Sequence, residues 1–134
     1  MEMTLRWYGS KFDTVTLKQI RQIPGLTGVI KTLYDTQPGE VWSRERIRAM
    51  IDEVEAEGMH IAGIESVNIH DAIKIGTPDR EQYIANYIET LENLGKEDIH
   101  LVCYNFMRCS TGREASLQES APTAQPFLRT IRTI

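Results

Sequence analysis

The stretch MHIAGIESVNIH, Met59 to His70, decides how the rest of the chain is read. Met59 to Glu65 is a short, largely apolar run that reads as a buried strand. Ser66, Asn68 and His70 follow at once. An apolar strand that opens into polar residues at its C-terminal end is the pattern of an α/β protein, where chemistry collects at strand ends.

Working outward, three more segments have the same character: MTLRW (3–7), TGVIKTLY (27–34) and DIHLVCY (98–104). Helical patterns fall between them. TLKQIRQI (16–23) predicts a short helix stopped by Pro24-Gly25. Ser43 predicts an N-cap for a helix carrying Ile47, Met50, Ile51 and Val54, with Gly58 as its stop. Thr77-Pro78-Asp79 predicts a third start, with Pro at the first helical position. Its apolar stripe, Tyr83, Ile84, Tyr87, Ile88, Leu91 and Leu94, is expected to be core, with Gly95 as the end.

The expected order is therefore βαβαβαβ with parallel strands and helical crossovers. The loop after the first strand, WYGSKFDT, is not the glycine-rich turn of a doubly wound domain. The favoured fold class is α/β, as the N-terminal half of a (β/α)8 TIM-type barrel. A whole barrel takes about 250 residues, and this chain has 134.

Composition narrows the function classes. Net charge is −4 and there is no basic block, so nucleic acid and anionic membrane are not expected partners. No apolar run is long enough for a membrane span, and the start MEMTLRWYGS does not look like a signal peptide. Cys103 and Cys109 form no CxxC pair and are expected to be reduced thiols in a cytoplasmic protein.

The strings RWYG, DTVTLKQIRQIPGLTGVI, LYDTQPGEVW, IESVNIH and CYNFM together resemble the mannonate dehydratases of bacterial hexuronate catabolism. The resemblance runs from Met1 to Met107. It implies dehydration of D-mannonate to 2-keto-3-deoxy-D-gluconate. It also implies Mn²⁺ or Fe²⁺ held by His, Cys and carboxylate side chains on later strands of the barrel. This chain by itself is then expected to bind no metal and to be inactive. The alternatives are a non-catalytic orphan half-barrel, and a sugar isomerase or epimerase of similar architecture. CYNFM after the fourth strand argues against the isomerase or epimerase.

After Met107 the chain reads RCSTGRE, where the family reads PVFDWTR. The codons CGG-TGT-TCG-ACT-GGA-CGC-GAG would encode Arg108 to Glu114. With one C restored in front, they spell the family string. The same shift permits the family's PDGST from Ala121 through Pro126. Residues 1–107 are therefore expected to be the partial barrel, and 108–134 an out-of-frame, disordered tail. A naturally divergent disordered tail is the alternative.

Five residues are candidates for binding substrate. Trp7 follows strand one and offers a flat wall, or is simply core. Glu65 can point into the barrel mouth and hydrogen-bond a sugar hydroxyl, or it is a buried structural carboxylate paired with Arg6 across neighbouring strands. Asn68 and Asn105 follow strands three and four and can both donate and accept. His70 is the best-placed histidine. His60 and His100 are expected to be structural or partly exposed, and Cys103 a small packing residue. Tyr34 and Tyr104 are walls or core. No catalytic or metal-ligating residue is assigned within this chain.

Overall fold

The computed structural model describes residues 2–106. The expected tail and Cys109 lie outside the described residues. Four parallel strands form one sheet: β1 (Met3–Arg6), β2 (Leu26–Lys31), β3 (His60–Glu65) and β4 (Val102–Cys103), in the order β1-β2-β3-β4. Between them lie α1 (Leu17–Ile20), α2 (Arg44–Glu55), α3 (Asp71–Ile75) and α4 (Arg80–Lys96). The parallel α/β architecture read from the sequence is thus present.

Local signals placed the helix starts. Thr16 and Gln19 form a reciprocal capping box at α1. The Ser43 side chain accepts from Arg46 N at α2. The helices cover one face of the sheet. Val29 is fully buried against Leu17, Ile20 and Val54, and Ile64 against Ile47, Ile51 and Leu94. The opposite face carries Arg6, paired in register with Ile30, which pairs in turn with Gly63.

Several expectations are corrected. The order is βαβαβααβ, because the five-residue α3 precedes α4. His70 caps its start and Gly76, at φ 75°, ends it. Pro78 therefore lies in the turn between two helices, and α4 begins at Arg80 and runs past Gly95 to Lys96. The predicted strand 98–104 shrinks to Val102–Cys103. Asp98 takes a left-handed φ of 63°, and the next residue, Ile99, turns into the core. His100 consequently sits before the strand, its Nε2 2.8 Å from Asp98 Oδ1. Cys103 is exposed rather than packed, because it pairs with Glu65 on the face that no helix covers.

The stripe on α4 is also corrected. Ile88 is 51% and Leu91 37% exposed, whereas Thr90 and Asn93 are buried. The cause is the irregular backbone of residues 32–43, which crosses from β2 to α2 through bends and a turn, without a ladder partner. Thr90 Oγ1 accepts from Trp42 N at 3.1 Å, and Asn93 Nδ2 donates to Trp42 O at 3.0 Å. Buried backbone groups must find partners, and here side chains of α4 provide them. Thr90→Val should leave Trp42 N–H unsatisfied and cost about 1–3 kcal/mol. Urea unfolding would measure it, with Thr90→Ser expected to retain most of the stability.

Candidate functional site

The C-terminal strand ends hold two clusters of polar and aromatic side chains. The first joins β1 to β3 across β2. Arg6 Nη1 donates to Glu65 Oε1 at 3.2 Å, and Nη2 donates to Tyr34 Oη at 3.4 Å. The guanidinium lies over the Tyr8 ring, 4.7 Å from its centroid. Tyr8 stacks on Tyr34 at 6.0 Å, and Phe12 meets Tyr34 at 5.2 Å. The Tyr34 hydrogen bond is the main reason that Arg6 is held above its ordinary pKa; burial opposes this, and the charge of Glu65 adds to it. Glu65 is therefore beside Arg6, and the pair is half-exposed rather than buried.

The second cluster brings Asn68, His70 and Asn105 to one cleft of about 590 Å³, which Gln37 and Lys74 also line. Ser66 links the two amides. Its Oγ donates to Asn68 Oδ1 at 3.3 Å and accepts from Asn105 Nδ2 at 3.5 Å. His70 has a structural duty as well. Its Nδ1 accepts from Ala72 N at 3.1 Å, and its ring stacks on Tyr83 at 3.6 Å. That bond leaves Nε2 as the ring atom available to a ligand.

Trp7 joins neither cluster. It is 3% exposed, its Nε1 donates to Val15 O at 2.9 Å, and Lys31 Nζ lies 4.0 Å from its ring centroid. Lys31 is the residue that sequence reasoning missed. Its side chain is 6% exposed and its Nζ is 2.7 Å from Glu53 Oε2. Ser10 Oγ donates to Glu53 Oε1 at 2.9 Å. A buried ammonium needs such a counter-charge. Gly9, at φ 97°, admits it, because a Cβ there would stand 3.2 Å from Lys31 Nζ. The signal was the alternation in VIK, which puts Lys31 on the same face as the buried Val29.

Burial pushes Glu53 up, but the hydrogen bonds from Lys31 and Ser10 outweigh it and hold the carboxyl below its ordinary value of 4.5. A carboxylate with a depressed folded pKa adds stability that is complete above the unfolded pKa. That stability is lost as pH falls through the lower folded value. Melting temperatures should accordingly drop as pH falls below about 4.5, and Glu53→Gln should flatten that part of the profile.

Among the described residues, no group of three or more His, Cys, Asp or Glu side chains converges as a metal site. The donors present do not fit a resident Mn²⁺ or Fe²⁺. Among the same residues, no helix is long and apolar enough to cross a membrane.

Comparison with known proteins places these clusters in a context. Residues 1–124 match a family model described as D-mannonate dehydratase (UxuA). That match runs past Met107, where the sequence resemblance was placed to end. A mannonate dehydratase of Brachyspira hyodysenteriae is 56% identical over 128 residues, covering 96% of this chain and 36% of the relative. One from Lactococcus lactis subsp. cremoris is 54% identical over 107 residues, covering 80% and 30%. The crystal structure of mannonate dehydratase from Streptococcus suis serotype 2 superposes with a TM-score of 0.76 at 44% identity, over 80% of this chain and 30% of that one. The chain thus spans about a third of the length of the curated relatives it matches.

Proposed function

Since the chain belongs to the D-mannonate dehydratase family, we propose that it is the N-terminal half of a (β/α)8 barrel that dehydrates D-mannonate to 2-keto-3-deoxy-D-gluconate. The observation that carries this reading is the 56% identity to a mannonate dehydratase across nearly the whole chain. The parallel order β1-β2-β3-β4 supports the barrel, since each strand adds to the same side of the last.

The reaction takes a proton from the carbon beside the carboxylate and expels the neighbouring hydroxyl as water. The resulting enol becomes the 2-keto group. In the whole enzyme a divalent metal, Mn²⁺ or Fe²⁺, would be held by residues outside 2–106. The part of this half is to bind and orient. Asn68 and Asn105 can donate to and accept from a polyol, and Tyr8, Tyr34 and Phe12 offer it an aromatic surface. His70 Nε2 is a further donor or acceptor in the cleft shared with the two amides. Trp7 acts behind this surface, as the wall against which Lys31 packs.

The test is a chimaera in which residues 1–106 of this chain replace the equivalent part of the Brachyspira relative. Formation of the 2-keto-3-deoxy acid from D-mannonate supports the reading; a folded chimaera with no product overturns it. The altered frame after Met107 remains our proposal for 108–134. The coding DNA decides it, since codons that cannot spell PVFDWTR in the neighbouring frame refute the shift.

A further inference from the structure

We propose that Arg6 anchors the carboxylate of the sugar acid, with Glu65 as the residue that positions it. The inference rests on the substrate class proposed above and assigns one end of that substrate to one side chain.

The cations near the strand ends differ in what they have left to give. Lys11, on the loop after β1, lines a hollow with Tyr8, Phe12 and Tyr34, but it is exposed and no hydrogen bond or ion pair among the described residues orients its ammonium. Lys31 is buried and held at 2.7 Å by Glu53. Arg46 is held by Asp35 at 2.8 Å and by Glu40 at 3.5 Å. Lys74 lies 3.0 Å from Asp71 on its own helix. Arg6 alone ends a strand on the helix-free face and has a side chain that is 36% exposed. Its contacts are long, 3.2 Å to one carboxylate oxygen and 3.4 Å to a neutral hydroxyl. A guanidinium has five N–H groups, and these two bonds leave three. Two of those three, on one edge, can meet a second carboxylate in the planar geometry that arginine favours.

The surroundings fix that fork. Glu65 holds Nη1, Tyr34 holds Nη2, and Tyr8 lies under the plane. Pre-organisation of this kind lowers the entropy lost on binding. The same aromatic side chains, with Phe12 tilted 55° to Tyr34, give an apolar surface beside the anchor for the C–H faces of a polyol. A carboxylate next to a hydroxylated chain fits a cation next to an aromatic wall.

The experiment titrates the full 134-residue chain with D-mannonate and with D-mannitol, its uncharged counterpart, by calorimetry. The unaltered chain should bind mannonate at least tenfold more tightly than mannitol. Arg6→Gln should abolish that preference and leave mannitol binding unchanged. Arg6→Lys should retain part of it, and Glu65→Gln should weaken it only partly, because the anchor remains but its fork is less firmly held. Circular dichroism would confirm that each variant keeps its secondary structure. A chain with no preference for mannonate, or Arg6→Gln that keeps the preference, overturns the assignment. So does Glu65→Gln losing as much as Arg6→Gln, since the ion pair itself would then be what matters. Dehydratase activity of the chimaera is measured separately, so failure of the anchor and failure of the proposed reaction are distinguishable.

Discussion

Supplied with D-mannonate and excess Mn²⁺, the purified 134-residue chain is expected to form no detectable 2-keto-3-deoxy-D-gluconate. The proton beside a carboxylate is very weakly acidic, so the charge that develops on its removal needs a strong counter-charge. The strand ends within residues 2–106 supply no divalent charge. Lys31 is committed to Glu53 and Arg6 shares its charge with Glu65. No three metal donors converge among the described residues. Losing a Lewis acid removes several kcal/mol of transition-state stabilisation. Each 1.4 kcal/mol or so is about tenfold in rate, so turnover should fall by roughly a thousandfold or more. Adding the separately produced remainder of the Brachyspira relative should restore product if the two parts reassociate. Turnover by the chain alone would place the charge-stabilising groups within this half.

Gly39→Ala is expected to be the most damaging single methyl addition in the described loops. Gly39 has a φ of 86°, and a Cβ there would stand 2.5 Å from Tyr83 Cδ1 and 3.1 Å from His70 Cδ2. The stacked His70 and Tyr83 rings, 3.6 Å apart, would have to separate. The left-handed backbone costs about 1–2 kcal/mol in a residue with a Cβ. Overpacking adds about 1–3 kcal/mol. Gly25→Ala is the control. Its φ is 81°, and a Cβ there meets nothing within 4 Å. It should lose only the backbone part. Denaturant unfolding of both variants measures the difference, and equal losses would show that the rings move aside freely. Because His70 lines the cleft, Gly39→Ala should also weaken ligand binding there.

Much of this protein was legible without its coordinates. The first three strands, a helix start close to Asp79 and the Ser43 cap follow from signals confined to a few consecutive residues. Apolar runs, capping side chains and turn glycines act locally, so they read the same in sequence and in structure. The strings RWYG, IESVNIH and CYNFM also carried the family resemblance that the comparisons bear out. Only the tertiary structure decided which polar groups meet. Arg6 reaches Glu65 across 59 positions because β2 lies between their strands and the register sets both on the helix-free face. Lys31 is buried because Glu53 arrives from α2, and Thr90 and Asn93 are buried because Trp42 brings a bare backbone to α4. Ile88 is exposed for the same reason that Asn93 is not. Apolar periodicity says which residues prefer to leave water. Which polar groups join them depends on partners brought by distant segments, and no local pattern encodes those.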